Sequence, residues 1–343
     1  MGGASGAANG GGGSGGGAAP DLTVAWVLSY FGPDQSLAAD SLYLAYSTDG
    51  LHWTRLGSGG PAYQLKGFGT NHIRDPFIIR RPSGDFFYIA TDWTLASDDE
   101  NYWNNPSSKI FVAESTDLIR FDEPRLLTLT TMKGPGGKAM HAWAPEAYYD
   151  PATQQYAIIW SGNDAQDRNR IYLSHTADFQ TLVTPEPKVL FDPGYSVIDG
   201  TVTFWNGSSY LFFKDETYND GGSVTGSGKD IQIARAPTEG LVAGSFMRWD
   251  PGYIPRGANQ GTRLETEGPF VIKDTKRDVW YLFADLYTRG GLFGAWSTTD
   301  LNAKPSAWTR LARDDFSFPA GVRHAHPIRV TQAELDALIA HYK

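Results

Sequence analysis

The sequence predicts an all-β fold, a five-bladed β-propeller, on three observations. A phrase repeats along the 343 residues: "LYLAYSTDGLHW" at 42–53 returns as "IFVAESTDLIRF" at 110–121, "IYLSHTADFQTL" at 171–182 and "LFGAWSTTDLNA" at 292–303. The aspartates Asp49, Asp117, Asp178 and Asp300 mark equivalent points at a period of about 60 residues, and "IQIARAPTEGLV" at 231–242 fills the double gap before the last. The later copies follow pairs of β-rich runs joined by turn residues, as in "DPFIIRRPSGDFFYIATD", "PEAYYDPATQQYAIIWSG", "DGTVTFWNGSSYLFFKDE" and "GPFVIKDTKRDVWYLFAD". The two ends of the chain are incomplete in complementary ways. "VAWVLSYF" and "SLYLAYSTD" lack a lead-in strand, and the C-terminal "RHAHPIRVT" is a strand without partners. Pairing them closes the ring and removes exposed sheet edges.

In chain order, residues 1–21 are Gly/Ser/Ala low complexity and read as a disordered linker, and residues 22–343 read as the propeller. The linker has no basic n-region and no apolar h-region, so it is not a signal peptide as it stands. After the last strand, "TQAELDALIAHYK" reads as one short helix. Thr331 and Glu334 form its capping box, and Leu335, Leu338, Ile339 and Tyr342 its apolar stripe.

Composition narrows the function classes. A formal net charge of −9 without a basic run speaks against nucleic acid. No apolar stretch approaches the ~20 residues that span a bilayer. With no cysteine, disulfides and thiolate chemistry are excluded. The 11 Trp, 17 Tyr and 18 Phe favour a packed core, though rings also suit stacking against sugar faces. Cysteine usage does not decide the compartment; an oligo- or polysaccharide partner and a monomer, secreted or at the cell surface, are expectations that rest on the acids and the resemblance that follow.

Acids fall where the first strand of each blade begins. Reading those starts gives Asp75, Glu146, Asp199, Glu267 and His324, which keep the period of the repeat. One end of all five strands opens into one funnel, so residues far apart in sequence meet there. Paired carboxylates with separated pKa values suit glycosidic hydrolysis, one protonated to meet the leaving oxygen and one ionised to activate water. Crowding of acids is expected to raise some of those values and supply the protonated Glu.

In this order, "RDPFI", "HAWAPE", "VIDGT", "TEGPFVI" and "RHAHP" resemble the blade-start motifs of family 43 glycoside hydrolases, over about residues 24 to 332. The resemblance implies Asp75 as general base, Glu267 as general acid and Asp199 as the residue that orients the acid and tunes its pKa. It implies inversion at the anomeric carbon and substrates with terminal arabinofuranosyl, xylosyl or galactosyl units. No cofactor is implied; a structural Ca2+ or a water in the central channel is the group His324 would meet. Two motifs depart from the family pattern. Gly200 follows the Ile-Asp pair where Pro is commoner, and Arg-His-Ala-His replaces Arg-His-Gly around His324.

Around these acids, Trp143 and Glu146 read either as sugar contacts or as a core ring and a blade-to-blade hydrogen bond. His72, Arg74, Lys214, Glu216 and Arg256 lie in expected mouth loops as candidate substrate ligands, and Arg323 is expected to touch Asp75 or a sugar hydroxyl. Glu265 rivals Glu267 but lacks the adjoining Gly268-Pro269. The Ser-Thr-Asp repeats read as turn caps, and Asn206-Gly207 reads as a hairpin turn.

An inverting exo-α-L-arabinofuranosidase is the favoured activity, because segments 92–108, 215–230 and 250–265 could wall the channel into a pocket. β-Xylosidase, β-galactofuranosidase and endo-arabinanase fit the same residues. A retaining fructan-type hydrolase would need an upstream Asn-Asp-Pro, for which "YFGPDQS" is a poor substitute. A non-catalytic sugar-binding propeller would not need base, tuner and acid together. The inverting reading expects the Asp75 and Glu267 carboxyls about 6.5–9.5 Å apart.

Overall fold

A computed structural model describes residues 21–342 apart from 23, 35, 59, 95–105, 218–228, 255–264 and 290–291, with the side chains of 250–253 also left aside. Arg256 and most of the three expected wall segments lie outside the described residues, as does nearly all of the linker.

The strands are β1 (Ala25–Phe31), β2 (Tyr43–Ser47), β3 (Thr54–Arg55), β4 (Ile73–Arg80), β5 (Phe86–Asp92), β6 (Lys109–Ser115) and β7 (Asp122–Thr128). They continue as β8 (Trp143–Asp150), β9 (Gln155–Asn163), β10 (Asn169–Thr176), β11 (Lys188–Phe191), β12 (Val197–Trp205), β13 (Ser208–Asp215), β14 (Ile231–Ala236) and β15 (Met247–Tyr253). The last are β16 (Glu267–Lys273), β17 (Trp280–Leu286), β18 (Leu292–Thr298), β19 (Thr309–Arg310) and β20 (Arg323–Val330).

They form five four-stranded sheets. Four are sequential meanders: β4 to β7, β8 to β11, β12 to β15 and β16 to β19. The fifth has the order β20-β1-β2-β3, so the C-terminal strand closes the ring against the N-terminal ones as the sequence requires. The innermost strands β4, β8, β12, β16 and β20 each contact the next around the axis.

Core residues sit between blades. Phe86, Tyr88 and Phe111 pack against Val27, Leu44 and Val330. Phe87 and Ile89 meet Tyr156, Ile158 and Trp160 across the next seam. The same pattern fills the remaining seams. Each such side chain, fully buried, is worth about 1.5–3 kcal/mol, which is why strands of the second position read as unbroken apolar runs.

The punctuation behaves as its chemistry demands. Asn206 and Gly207 have φ of 51° and 73°, both positive as a type I′ hairpin turn needs. Oδ1 of Asp49 accepts from the backbone of Leu51 and His52, and Oδ1 of Asp117 from Ile119 and Arg120, so the repeated aspartates cap turns. The helix runs Gln332–His341 with Thr331 and Glu334 in a reciprocal capping box. Its Leu335 and Leu338 join the seam between β1 and β4, and Arg80 of β4 ties Glu334 at 2.7 Å.

One backbone feature recurs at the start of every innermost strand. The ladder slips by one residue between Arg74 and Phe77, Trp143 and Glu146, Ile198 and Thr201, and Glu267 and Phe270. In the closing blade the slip falls opposite Ser29 and Phe31. Each bulge holds a residue at positive φ: Asp75 (51°), Ala144 (47°), Asp199 (55°), Gly268 (52°) and His324 (33°). A bulge re-aims side chains and leaves one residue unpaired. For the non-glycine members this left-handed backbone costs about 1–2 kcal/mol each, so the surroundings must hold it.

Candidate active site

These bulges sort the channel residues into tiers. Arg74, Trp143, Ile198, Glu267 and Arg323 share the outer tier, opposite Thr91, Ser161, Lys214, Asp285 and Phe31 of the neighbouring strands. Asp75, Ala144, Asp199, Gly268 and His324 form the bulge tier. Phe77, Glu146, Thr201, Phe270 and His326 form the inner tier. The sequence period had set Asp75, Glu146, Asp199, Glu267 and His324 at equivalent points. The structure corrects two of them: Glu146 lies past its bulge and Glu267 just before its own.

The second-strand residues explain how the bulges are held. Thr91 Oγ1 accepts from Ala144 N at 2.8 Å, and Ser161 Oγ accepts from Asp199 N at 2.9 Å. Asp199 Oδ2 accepts from Gly268 N at 3.0 Å, while Asp285 Oδ2 receives His324 N at 3.4 Å. Each bond fixes a bulge amide from the preceding blade. Gly268 has a second reason to be glycine, since a Cβ there would stand 2.8 Å from His324 Cγ.

Asp75 receives the Thr91 hydroxyl at 2.7 Å on Oδ2 and His324 Nδ1 at 3.2 Å on Oδ1. Burial pushes its carboxyl up, but His324, Thr91 and the Arg74 charge outweigh this and hold it below the usual range. His324 Nδ1 also lies 3.9 Å from Asp199 Oδ2. Burial disfavours the charged imidazole, yet Asp75, Asp199 and Glu267 raise it to about 10, so the ring is a cation at neutral pH.

Glu267 lies between Lys214 Nζ at 2.9 Å and Arg323 Nη2 at 2.6 Å. Burial raises its pKa, but these two cations reverse the effect and hold it low. Asp199, also buried, is pushed up instead, because Glu267 adds its repulsion and the opposing His324 and Lys214 charges do not compensate. Burial, with Glu267 repulsion added, thus gives the higher carboxyl pKa of the two, about 6, to Asp199, where the sequence had suggested Glu267. Two interacting carboxyls titrate as a unit.

Lys214 is buried, bonded to Glu216 at 3.0 Å as well, and lies 4.4 Å over the Tyr287 ring. Glu216 also pairs with Lys229 at 2.6 Å. Arg323 contacts Glu267 and Asp285, where Asp75 or a sugar hydroxyl had been expected. The rival Glu265 accepts the Tyr287 hydroxyl at 2.6 Å.

Trp143 stacks on His141 at 3.6 Å between ring centroids, and Trp93 lies 5.6 Å away on a tilt. Arg74 lies over Trp93 and Phe31, at 4.5 and 5.3 Å. Its guanidinium and the His72 ring both bond Asp40, so His72 is buried. Glu146 is buried beside Tyr148 and 3.9 Å from His326 Nε2; desolvation pushes it up to about 8. It is a channel residue, not a rim residue.

Among the described residues no three His, Asp or Glu side chains converge on a point that would hold a metal ion. His324 spends Nδ1 on Asp75, and the carboxylates of Asp75, Asp199 and Glu267 surround its ring.

Sequence reasoning missed Asp40, Thr91, Trp93, His141, Asp285 and Tyr287. For Thr91 and Asp285 a signal existed: each interrupts the apolar run of a second strand, in "FFYIATD" and "WYLFADL".

The family described as "Probable glycosyl hydrolase domain", related to glycoside hydrolase family 43, matches residues 21–336. An α-L-arabinofuranosidase of Bifidobacterium longum subsp. longum is 28% identical over 288 residues, 73% of this chain and 25% of its own length. The chain therefore spans about a quarter of that curated relative. An α-L-arabinofuranosidase structure from Clostridium thermocellum superposes with a TM-score of 0.56 at 14% identity, over 84% of this chain and 91% of the other. A thermostable family-43 glycoside hydrolase gives 0.53 at 19% identity, over 76% and 80%. At these identities the structural likeness is one of fold. The propeller, the gathered acids and the match across almost the whole described chain lead to one conclusion: this chain belongs to the family-43-related glycoside hydrolases and is a glycosidase.

Proposed function

We propose that the chain is an inverting exo-α-L-arabinofuranosidase, with Asp75 as general base, Glu267 as general acid and Asp199 as the tuner of that acid. The observation that carries this reading is the division of charge across the bulge tier. Asp75 is held ionised by His324, as a base that activates water must be. On the other side burial and the Glu267 charge raise the Asp199 carboxyl to about 6, above that of Glu267.

In this reading Asp75 takes a proton from the attacking water while Glu267 gives one to the leaving glycosidic oxygen. Glu267 is a carboxylate in the free protein because Lys214 and Arg323 stabilise it. To act as the acid Glu267 must first be protonated, and at or below pH about 6 Asp199 is the neighbouring carboxyl that carries a proton to pass to it. His324, between Asp75 and Asp199, keeps the two halves at different charge. Trp143, Trp93 and Tyr287 supply ring faces for a sugar, and Arg74 and Arg323 supply donors for its hydroxyls.

The arabinofuranosyl choice rests on the Bifidobacterium relative, whose printed name is that activity. Screening a panel of nitrophenyl glycosides tests it: α-L-arabinofuranoside should be cleaved well ahead of β-xyloside and β-galactofuranoside. Preference for either of the others, or internal cleavage of arabinan, would replace the substrate assignment. Proton NMR of the first product tests the stereochemistry, with inversion expected; retention would contradict the single-displacement roles of Asp75 and Glu267.

A further inference from the structure

We propose that Asp40, on the connection between β1 and β2, is a positioning residue that sets the Arg74 guanidinium for a substrate hydroxyl. The inference rests on the catalytic reading above and goes beyond it, since Asp40 belongs to none of the motifs that carry that reading.

Asp40 is fully buried, and its carboxylate meets Arg74 through two bonds, Nε to Oδ1 at 2.6 Å and Nη2 to Oδ2 at 3.3 Å. His72 Nδ1 adds a third contact at 2.9 Å on Oδ2. The backbone joins the same anchor, with Ile73 N donating to Asp40 O at 3.2 Å. One loop residue thus grips both sides of the strand start that carries Asp75.

A carboxylate buried this deeply is costly unless paired and hydrogen-bonded. The Arg74 fork and the His72 ring satisfy it, and the fork fixes more than charge. With Nε and Nη2 committed to Asp40, the guanidinium plane is set against Phe31 and Trp93. Nη1 has no partner among the described residues and remains to donate outward. Arg323 repeats the arrangement in the closing blade: it occupies the equivalent tier, is held by the buried Asp285, and lies 5.6 Å from the same Phe31 ring. The Phe31 ring therefore neighbours two guanidiniums, each fixed by its own buried carboxylate. In the Arg323 case that fixing delivers a hydrogen bond to Glu267. For Arg74, next to Asp75 in the chain, Nη1 is the donor left to meet substrate among the described residues.

The test is a double-mutant cycle in the full chain, read as KM and kcat on the best nitrophenyl glycoside, with melting temperature alongside. Asp40→Asn should raise KM about tenfold or more with kcat changed by less than about threefold, as loss of one oriented hydrogen bond to a sugar does. In an Arg74→Ala background the same change should have no further effect on KM. An unchanged KM in Asp40→Asn, or an undiminished effect without Arg74, overturns the proposal. If Asp40→Asn does not fold, Arg74→Lys reads the same geometry, because an ammonium keeps the charge and loses the fork. It should raise KM about tenfold, and an unchanged KM overturns the proposal. Asp75→Asn run in parallel separates the two claims. If it is inactive while Asp40→Asn matches wild type, this inference alone fails; if it keeps wild-type turnover, the catalytic reading fails and this inference with it.

Discussion

His324 Nδ1 stands 3.2 Å from Asp75 Oδ1, and this ion pair decides the protonation of the bulge tier. The pair links a strained histidine at φ 33° to the last residue that a sequence reader would expect to be buried as an anion. His324→Gln removes the cation that holds Asp75 down. The acid limb of kcat/KM should then move to higher pH, measured from pH 3 to 8; an unmoved limb would show that His324 does not set the charge of Asp75.

The same pair couples stability to pH. His324 is raised from the ordinary imidazole value of 6.5 to about 10 on folding. Its contribution is therefore complete below pH about 6.5 and disappears as pH climbs through about 10. Wild type should lose melting temperature across that window by more than His324→Gln does, as thermal scans at fixed ionic strength would show. Parallel curves for the two proteins would contradict the linkage.

Thr91 performs two tasks with one oxygen, donating to Asp75 and accepting from Ala144 N. Thr91→Val keeps the shape and deletes both bonds. Orphaning a buried amide and freeing the carboxylate should cost about 1–3 kcal/mol in urea unfolding and lower kcat with little change in KM.

Lys214 is the buried cation between Glu267 and Glu216. Replacing it by Met leaves Glu267 with Arg323 and Glu216 with Lys229 as their remaining cations, and breaking a buried pair costs about 3–5 kcal/mol. Glu267 should rise in pKa, so the alkaline limb of kcat/KM should move to higher pH. A stability loss without that movement would make Lys214 a structural residue only.

The C-terminal helix gives a control remote from the chemistry. Thr331→Ala removes the cap that accepts Glu334 N, for a loss of about 0.5–2 kcal/mol. Turnover at saturating substrate should be unchanged, because the helix packs on the outer seam between β1 and β4.

Much of this was legible because strand physics writes itself into spacing. The repeat, the turn residues and the unpaired C-terminal strand determined blade number and closure, and the Thr331 box marked the helix start. Asp75, Asp199 and His324 were found at their true equivalent positions. Glu146 and Glu267 were aligned with them only by counting, and counting fails at a bulge, where the hydrogen-bond register slips by a residue that loop lengths elsewhere conceal. Acid crowding was visible in the sequence, but the cations that reverse its effect on Glu267 were not weighed with it, because Lys214 and Arg323 come from other blades and their reach depends on register. Asp40 was hidden for a different reason: it sits in a connecting loop with no periodic neighbour, and only the folded contact with Arg74 gives it meaning.

The most direct measurement compares Glu267→Gln with wild type on two leaving groups: a dinitrophenyl arabinofuranoside, whose phenolate departs without protonation, and an arabino-oligosaccharide, whose alkoxide cannot. If Glu267 is the general acid, the variant loses roughly 10²–10⁴-fold on the oligosaccharide and far less on the activated aryl glycoside. An equal loss on both, or no loss on either, would contradict the account.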